Sequence, residues 1–573
     1  MRDYHVAPAD APDPSLAGPY EYRTYFYGSG NDKHRKEYGE GVDFKTEPVN
    51  AKPFMGFSDH VPDYWGFDFD KLPLNGRVWF PQGPGPFPLV LIVHGNHNMK
   101  DFSDPGYEYL GKLLASRGFI TVSVDENFLN QKFEGENDAR AFVLLEHLKV
   151  WKKWNQTKGH EFEGKVAMDR IALVGHSRGG ESVAHAGAFN RLSRYPDDAN
   201  VTLDYNFSIR SVIAIAPCDG QYKPAGHPTT LNNVNYLVIQ GGHDADVSTF
   251  TGLDQFNRVH FTDDNFCFKS AVYIYQANHS RFNTAWGMMD CPAPARWFVN
   301  DKPIMDAEKQ RQVARVLLSA FLEATLNDKE QYLPIFKDIR KATRWLPENI
   351  YVNQYKDSNF KVIADFDEDF DVTTTALPGG RLLGENLETW KEAHVQYRTK
   401  SKPTQENATV VLEWKRDPAS REPKNKDRQD SEPNKIASYA IILSPETTTD
   451  LGLNPNAKLV FSIGAAEEEP NEFKPLDLTI ELRDTDGDSA RLPLNSVGPI
   501  HPPLTIRLTK WNWLEKKRWD MSSERLLQTY EIPMSIFVDR DAAFDPAKLQ
   551  AIRFIFDRSP KGKIMLDDIG MSM

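Results

Sequence analysis

Cysteine is scarce: three residues in a chain of 573. That excludes a disulfide scaffold and any four-cysteine metal site. Positive charge is also in deficit, with 68 Lys and Arg against 81 Asp and Glu and a net charge of −13. A general nucleic-acid binder needs a basic face for phosphate, so that class is set aside. No run approaches the roughly 18 apolar residues of a membrane span, and none is expected. The first residues, Met1-Arg-Asp-Tyr-His-Val-Ala-Pro-Ala-Asp10, lack the apolar core of a secretion signal. They fit a cytoplasmic chain, or a secreted or periplasmic one whose signal has been removed; the Pro-rich start favours the second. Internal repeats are absent too. The length exceeds one comfortable core, so two or three domains are expected. Oligomeric state is not legible.

What is present is an apolar run, Ile171-Ala-Leu-Val174, entering Gly175-His-Ser177-Arg-Gly179 and followed by small residues at helical spacing through Phe189. Gly-x-Ser-x-Gly between a strand and a helix is the pattern of a nucleophile elbow, in which the serine hydroxyl stands proud of a sheet edge. An activated serine needs a base to take its proton and a carboxylate to orient that base. Val234–Gln240 reads as a buried strand ending in Gly241-Gly-His-Asp244-Ala-Asp246-Val247, a Gly-x-x-Asp-x-x-Val setting that presents an acid. Asp244 is the preferred acid and Asp246 the alternative. Ala271–Tyr275 reads as the next strand, and His279 follows it as the candidate base. A fourth strand, Pro88–Val93, ends in His94-Gly95-Asn96-His97. An oxyanion needs backbone donors, and this order nominates the amides of Asn96 and Arg178. The Arg178 side chain is expected to pair with Glu181, and His94 and His243 are expected to be structural. The serine chemistry requires no cofactor.

From about 53 to 345, strand and helix patterns alternate. Gly106–Arg117, Asn137–Trp154 and Met305–Leu326 read as helices with one apolar face. Alternation of this kind implies a largely parallel sheet covered on both faces. Residues 1–52 are polar and rich in Gly and Pro, and are expected to wrap the surface. From 351 to 573 short alternating strands dominate, among them Thr409–Trp414, Lys458–Ser462, Asp477–Leu482 and Ala551–Phe556, with Pro and Gly turns between them. That pattern predicts an all-β sandwich. Lys415–Lys435 is almost wholly polar and reads as an inserted loop. The connector Arg340–Tyr351 carries Trp345, Leu346 and Tyr351, unlike a Gly/Ser tether, and predicts a docked rather than a swinging accessory domain. Cys218 reads as a plain buried thiol; Cys267 and Cys291 flank the His279 loop and could pair in an oxidising compartment.

Val93-His-Gly-Asn96, Leu113–Asp125, Gly175–Gly180, Ile213–Pro217, Gly241–Asp244 and Ala277-Asn-His279 together resemble an α/β-hydrolase. Within that superfamily the block is similar to the dienelactone hydrolase, platelet-activating-factor acetylhydrolase and cutinase-like group. Polyester-cleaving members of that group usually carry Met after the nucleophile and an aromatic residue at the first oxyanion position; Arg178 and Asn96 stand there in this chain. The C-terminal part resembles galactose-binding-like jelly rolls found as carbohydrate-binding modules, through Val362–Asp367 and Lys563–Ile569. The resemblance implies a structural calcium site at Asp365, Asp367 and Asp568. It also raises two roles for Trp511, Trp513 and Trp519: stacking on sugar rings, or packing against the hydrolase domain.

The function these readings imply is hydrolysis of a carboxylic ester through an acyl-enzyme. The substrate would be a small molecule or a glycan-linked, polymeric or bulky natural-product ester. Two alternatives stay open: a peptidase or amidase on the same fold, and a non-catalytic carbohydrate-binding protein with a vestigial hydrolase domain.

Overall fold

The computed structural model describes residues 6–55, 61–130, 136–416, 435–467 and 475–573. Most of the polar insertion expected at Lys415–Lys435 lies outside the described residues. The chain forms two compact units, one comprising Pro8–Tyr351 with Leu508–Asn512, the other built on Val352–Arg507 and Trp513–Met573.

The first unit is a large mixed sheet. Its strands are β1 (Tyr22–Gly28), β2 (Phe44–Lys45), β3 (Asn75–Pro81), β4 (Phe87–Val93), β5 (Ile120–Asp125), β6 (Val166–His176), β7 (Ile209–Ile215), β8 (Asn235–Gly241) and β9 (Phe268–Ile274). They lie in the order β9-β8-β7-β6-β4-β5-β3-β1-β2. From β5 to β9 every neighbour is parallel, with Leu91 beside Leu173 and Leu173 beside Val212. Strands covered on both faces read as continuous apolar runs, and Leu89 through Val93 are wholly buried. Helices α1 (Glu108–Ser116), α2 (Asn137–Gln156), α3 (Arg178–Phe189), α4 (Gly252–Asn257) and α5 (Ala307–Leu326) cover the sheet. The expected face of α2, with Ala141, Leu144, Leu148 and Trp151, is buried, as are Val313, Val316, Leu317 and Phe321 of α5. Among the described residues no helix is long and apolar enough to cross a membrane.

The N-terminal segment departs from the surface wrap expected of it. β1 pairs antiparallel with β3, Thr24 opposite Trp79, and so extends the sheet. Tyr27 is fully buried, its hydroxyl 2.7 Å from His147 Nδ1. Arg35 follows it inward, 2.7 Å from Asp32, 2.6 Å from Asp125 and 3.5 Å from Asp104. Asn75 and Asn127 also donate to Asp125, and Tyr38 donates to Asp104. Burial works against the Asp125 charge, yet Arg35 and the amide donors hold its carboxyl below the usual range. Burial and the neighbouring Asp125 push Asp104 up to about 6. A polar segment reads as surface when the partners of its charges lie some 70 to 90 residues away.

In the second unit two antiparallel sheets share one apolar core. One runs Thr389–Gln396, Thr404–Lys415, Lys561–Ser572, Lys458–Ala465, Gln528–Pro533, with Phe360–Ala364 also on Lys561–Ser572. The other runs Arg381–Glu385, Ser438–Ile442, Leu549–Ile555, Thr479–Asp484, Ser489–Pro493. Leu412, Phe461 and Leu566 meet Ile441, Ile480 and Phe554 in the core.

Replacing Arg35 by Met should cost about 3–5 kcal/mol, because it leaves buried carboxylates without their cation. The orphaned carboxyls would titrate above their unfolded values, so stability returns as pH falls through them. Urea unfolding should therefore show a smaller deficit at pH 5 than at pH 8; an equal deficit at both would show that the charge cluster is not its source.

Candidate functional site

Four loops leave the C-terminal ends of β4, β6, β8 and β9 and converge at one edge of the sheet, where parallel α/β sheets present their ligand sites. At the end of β6, Ser177 holds φ 59°, ψ −124°. A non-glycine residue at positive φ costs about 1–3 kcal/mol and persists only where its surroundings impose it. The imposing contacts are close. A Cβ on Gly175 would lie 1.9 Å from the Gly179 carbonyl oxygen, and one on Gly95 would lie 2.5 Å from Ser177 Cβ. The Ser177 amide donates to Ile215 O at 2.9 Å, fastening the elbow to β7, and α3 begins at the next residue. The Arg178 amide therefore sits in the first turn of α3, where backbone N–H groups lack helical acceptors and the helix dipole favours negative charge.

Asp244 and His279 meet from β8 and β9. His279 Nδ1 is 2.8 Å from Asp244 Oδ2, and both side chains are buried. The other oxygen, Oδ1, accepts from the amides of Asp246 and Val247, and Gln240 donates to Oδ2 at 3.1 Å. Asp244, rather than Asp246, thus reaches Nδ1. Asp246 stands on the opposite side of the ring, 3.4 Å from Nε2, with its side chain 56% exposed. Burial raises Asp244 to about 6, with His279 working the other way. Burial also opposes charge on His279, but Asp244, Asp246 and Asp290 together raise it to about 10.

The His279 ring lies over the elbow. Its centroid is 4.9 Å from that of His176, the residue before Ser177, and it stacks at 5.8 Å on Trp286. Trp286 in turn stacks on His97 at 5.6 Å and donates to Ser103. Burial holds His176 well below its usual range, so the ring beneath His279 is a neutral wall. Asn96, His97, Asp101, Asp246, His279, Trp286, Met288 and Arg296 line a cavity of about 920 Å³.

His94 is buried, donates from Nδ1 to Gly95 O at 2.8 Å and accepts the Glu126 amide at Nε2. Burial lowers it to about 3, and it fixes the loop carrying Asn96. His243 bonds Tyr275 O at 2.7 Å. The Arg178 side chain does not pair with Glu181 as expected; it meets Glu136 at 2.5 Å, while Glu181 accepts from Asn137 and the Tyr222 amide. Glu136 lies far back in sequence, just ahead of α2, and no local spacing announces it.

Sequence reasoning missed Asp290. Its part-buried carboxylate accepts the amides of Ala245 and Ser280, each at 2.9 Å, and Asn278 Nδ2 at 2.7 Å, so it ties the Asp244 loop to the His279 loop. It sits in Met288-Met-Asp-Cys291, which carries no motif. Cys267 and Cys291 are thiols and do not pair. In the second unit Asp568 is 2.7 Å from Lys356 Nζ, Asp367 accepts the Ala408 amide, and Asp365 neighbours Glu368. The three tryptophans separate: Trp511 packs edge-on to Phe298 within the first unit, Trp513 is exposed, and Trp519 is buried beneath Arg398.

The chlorophyllase family model matches residues 70–235. That span carries β4, the elbow and Ser177, and stops at the start of β8, ahead of Asp244 and His279. With the mostly parallel sheet, the match supports a hydrolase of the esterase type on an α/β-hydrolase fold. None of the curated proteins compared matches the chain.

Substituting Gly175 by Ala would drive a methyl into the Gly179 carbonyl, backbone against backbone, with no flexible side chain to yield. A loss of about 1–3 kcal/mol or more is expected in urea unfolding. Unchanged stability would mean the elbow is not packed as described.

Proposed function

We propose that the first unit is a serine hydrolase of carboxylic esters. The observation that carries the reading is the buried Asp244–His279 hydrogen bond above a serine held at positive φ at the head of a helix. In this reading His279 Nε2 takes the Ser177 proton as Oγ attacks the ester carbonyl carbon. The amides of Asn96 and Arg178 hold the developing oxyanion. The tetrahedral intermediate collapses, His279 returns the proton to the departing alkoxide, and an acyl-Ser177 ester remains. Water, deprotonated by the same nitrogen, then attacks the acyl carbon; collapse releases the acid and returns the proton to Ser177. Asp244 keeps Nδ1 protonated and stabilises the imidazolium. No bound cofactor takes part in these steps.

The cavity, with Trp286, Met288 and Met289 beside Asp101, Asp246 and Arg296, supports a bulky ester with both apolar and polar parts. We extend the proposal to the second unit as a galactose-binding-like jelly roll, on the strength of its two antiparallel sheets and shared core, which favours a glycan-linked substrate.

Hydrolysis of short-chain p-nitrophenyl esters tests the reading. Ser177→Ala should lose at least about 10³-fold in kcat, and Asp244→Asn should lose far more than Asp246→Asn. Since the base must be unprotonated and its neighbours raise His279 to about 10, kcat/KM should climb with pH above neutrality. A Ser177→Ala enzyme at wild-type rate, or a flat profile from pH 6 to 10, would refute it.

A further inference from the structure

The serine-hydrolase reading leaves one group at the reacting nitrogen without a role. His279 Nδ1 is committed to Asp244, and the work falls to Nε2. That atom is buried, makes no hydrogen bond, and has Asp246 Oδ2 at 3.4 Å. The approach is not set by chance packing. The Asp246 amide is pinned to Asp244 Oδ1 at 2.9 Å, so its Cα is fixed relative to the acid. Its side chain alone is free to swing, because it reaches into the cavity and is more than half exposed.

We propose that Asp246 is a positioning residue that restrains the resting base: it holds the protonated His279 from the Nε2 side, in competition with Ser177, until proton loss or substrate entry releases it. This rests on the serine-hydrolase assignment.

Charged and titratable groups face His279 from each neighbouring loop. Asp244 and Asp246 come from the acid loop and Asp290 from the loop that follows His279. His176 comes from the elbow, and His97, with Asp101 near it, from the loop after β4. Burial keeps both histidines toward their neutral forms. Three carboxylates thus face the ring; of the cations nearby, Arg281 is bonded to the Met288 and Met305 carbonyls and Arg296 stands on the cavity wall, and a proton on Nε2 points at Asp246. Asp244 is buried, and Asp290, though part-buried on the cavity wall, has its oxygens committed to the Ala245 and Ser280 amides and to Asn278. Asp246 can respond to a ligand, because only solvent and the cavity lie beyond it.

The arrangement acts in two senses. Below the histidine's titration it favours the protonated base, which cannot accept the serine proton. Above it, the same carboxylate steadies the imidazolium formed as Ser177 attacks. Removing the charge should therefore help at low pH and hinder at high pH.

The test is the pH profile of kcat/KM for wild type and Asp246→Asn, paired with NMR titration of the His279 ring in a Ser177→Ala background. The Asn variant should move the rising limb acidward by about 0.5 unit or more, a shift discounted for the exposure of Asp246. Its plateau should fall, and its rate at the foot of the limb should rise, by less than the roughly threefold that a 0.5-unit shift alone would give. The ring titration should move the same way. A limb and a ring titration that stay in place, with rates lowered equally at every pH, would reduce Asp246 to a structural residue and overturn the proposal. The titration needs no turnover. An acidward ring shift in a protein without esterase activity would therefore uphold the Asp246–His279 coupling while discarding the catalytic reading; an unmoved ring would discard the coupling.

Discussion

The site depends on one steric constraint: three backbone segments cross so closely at the end of β6 that a serine is forced into a left-handed conformation. Gly175 lies against Gly179, and Gly95 against Ser177 itself. Side chains at either approach would push the strand, the helix and the Gly95 loop apart. The amide bond from Ser177 to Ile215 then fixes the elbow to the neighbouring strand, and α3 leaves with its first amides facing the same point. Strain of this kind is sustained by the rigidity of the sheet beneath it, whose central strands are wholly buried.

Electrostatics supply the second layer. The elbow is lined with neutral rings, His176 and Trp286, while the carboxylates Asp244, Asp246 and Asp290 gather on His279. In a site of low polarity such a field carries further than it would in water. Asp290 does the mechanical part as well, since its carboxylate joins the Asp244 loop to the His279 loop. The N-terminal segment makes a comparable contribution at a distance: Arg35 neutralises Asp125 at the end of β5, so the sheet can close with buried acids inside.

The sheet, its helices and the positions of Ser177, Asp244 and His279 at strand ends were legible because each rests on a local pattern. Continuous apolar runs mark buried parallel strands, and Gly-x-Ser-x-Gly and Gly-x-x-Asp mark the turns that follow them. What the sequence hid rests on pairing across distance. Arg178 turned to Glu136 rather than to Glu181 one helical turn away, because the fold brings α2 beside the elbow. Asp290 had no motif, since an acid that binds backbone amides can occupy any loop of the right reach. Tyr27 and Arg35 sat in a segment of surface-like composition, and only their partners reveal that it is part of the core. The three tryptophans near 511–519, adjacent in sequence, met three different environments because the helix Asn512–Arg518 turns them apart.

In the proposed reaction Ser177 Oγ is the atom that would carry the acyl group. Mixing the protein with an activated ester, quenching in acid within the first turnovers, and mapping the added mass by peptide sequencing would read this directly. The expected result is an acyl group on Ser177, absent from the Ser177→Ala protein and accumulating in the His279→Ala protein only far more slowly. Turnover with the acyl group on another residue, or with no covalent intermediate under any quench, would contradict it.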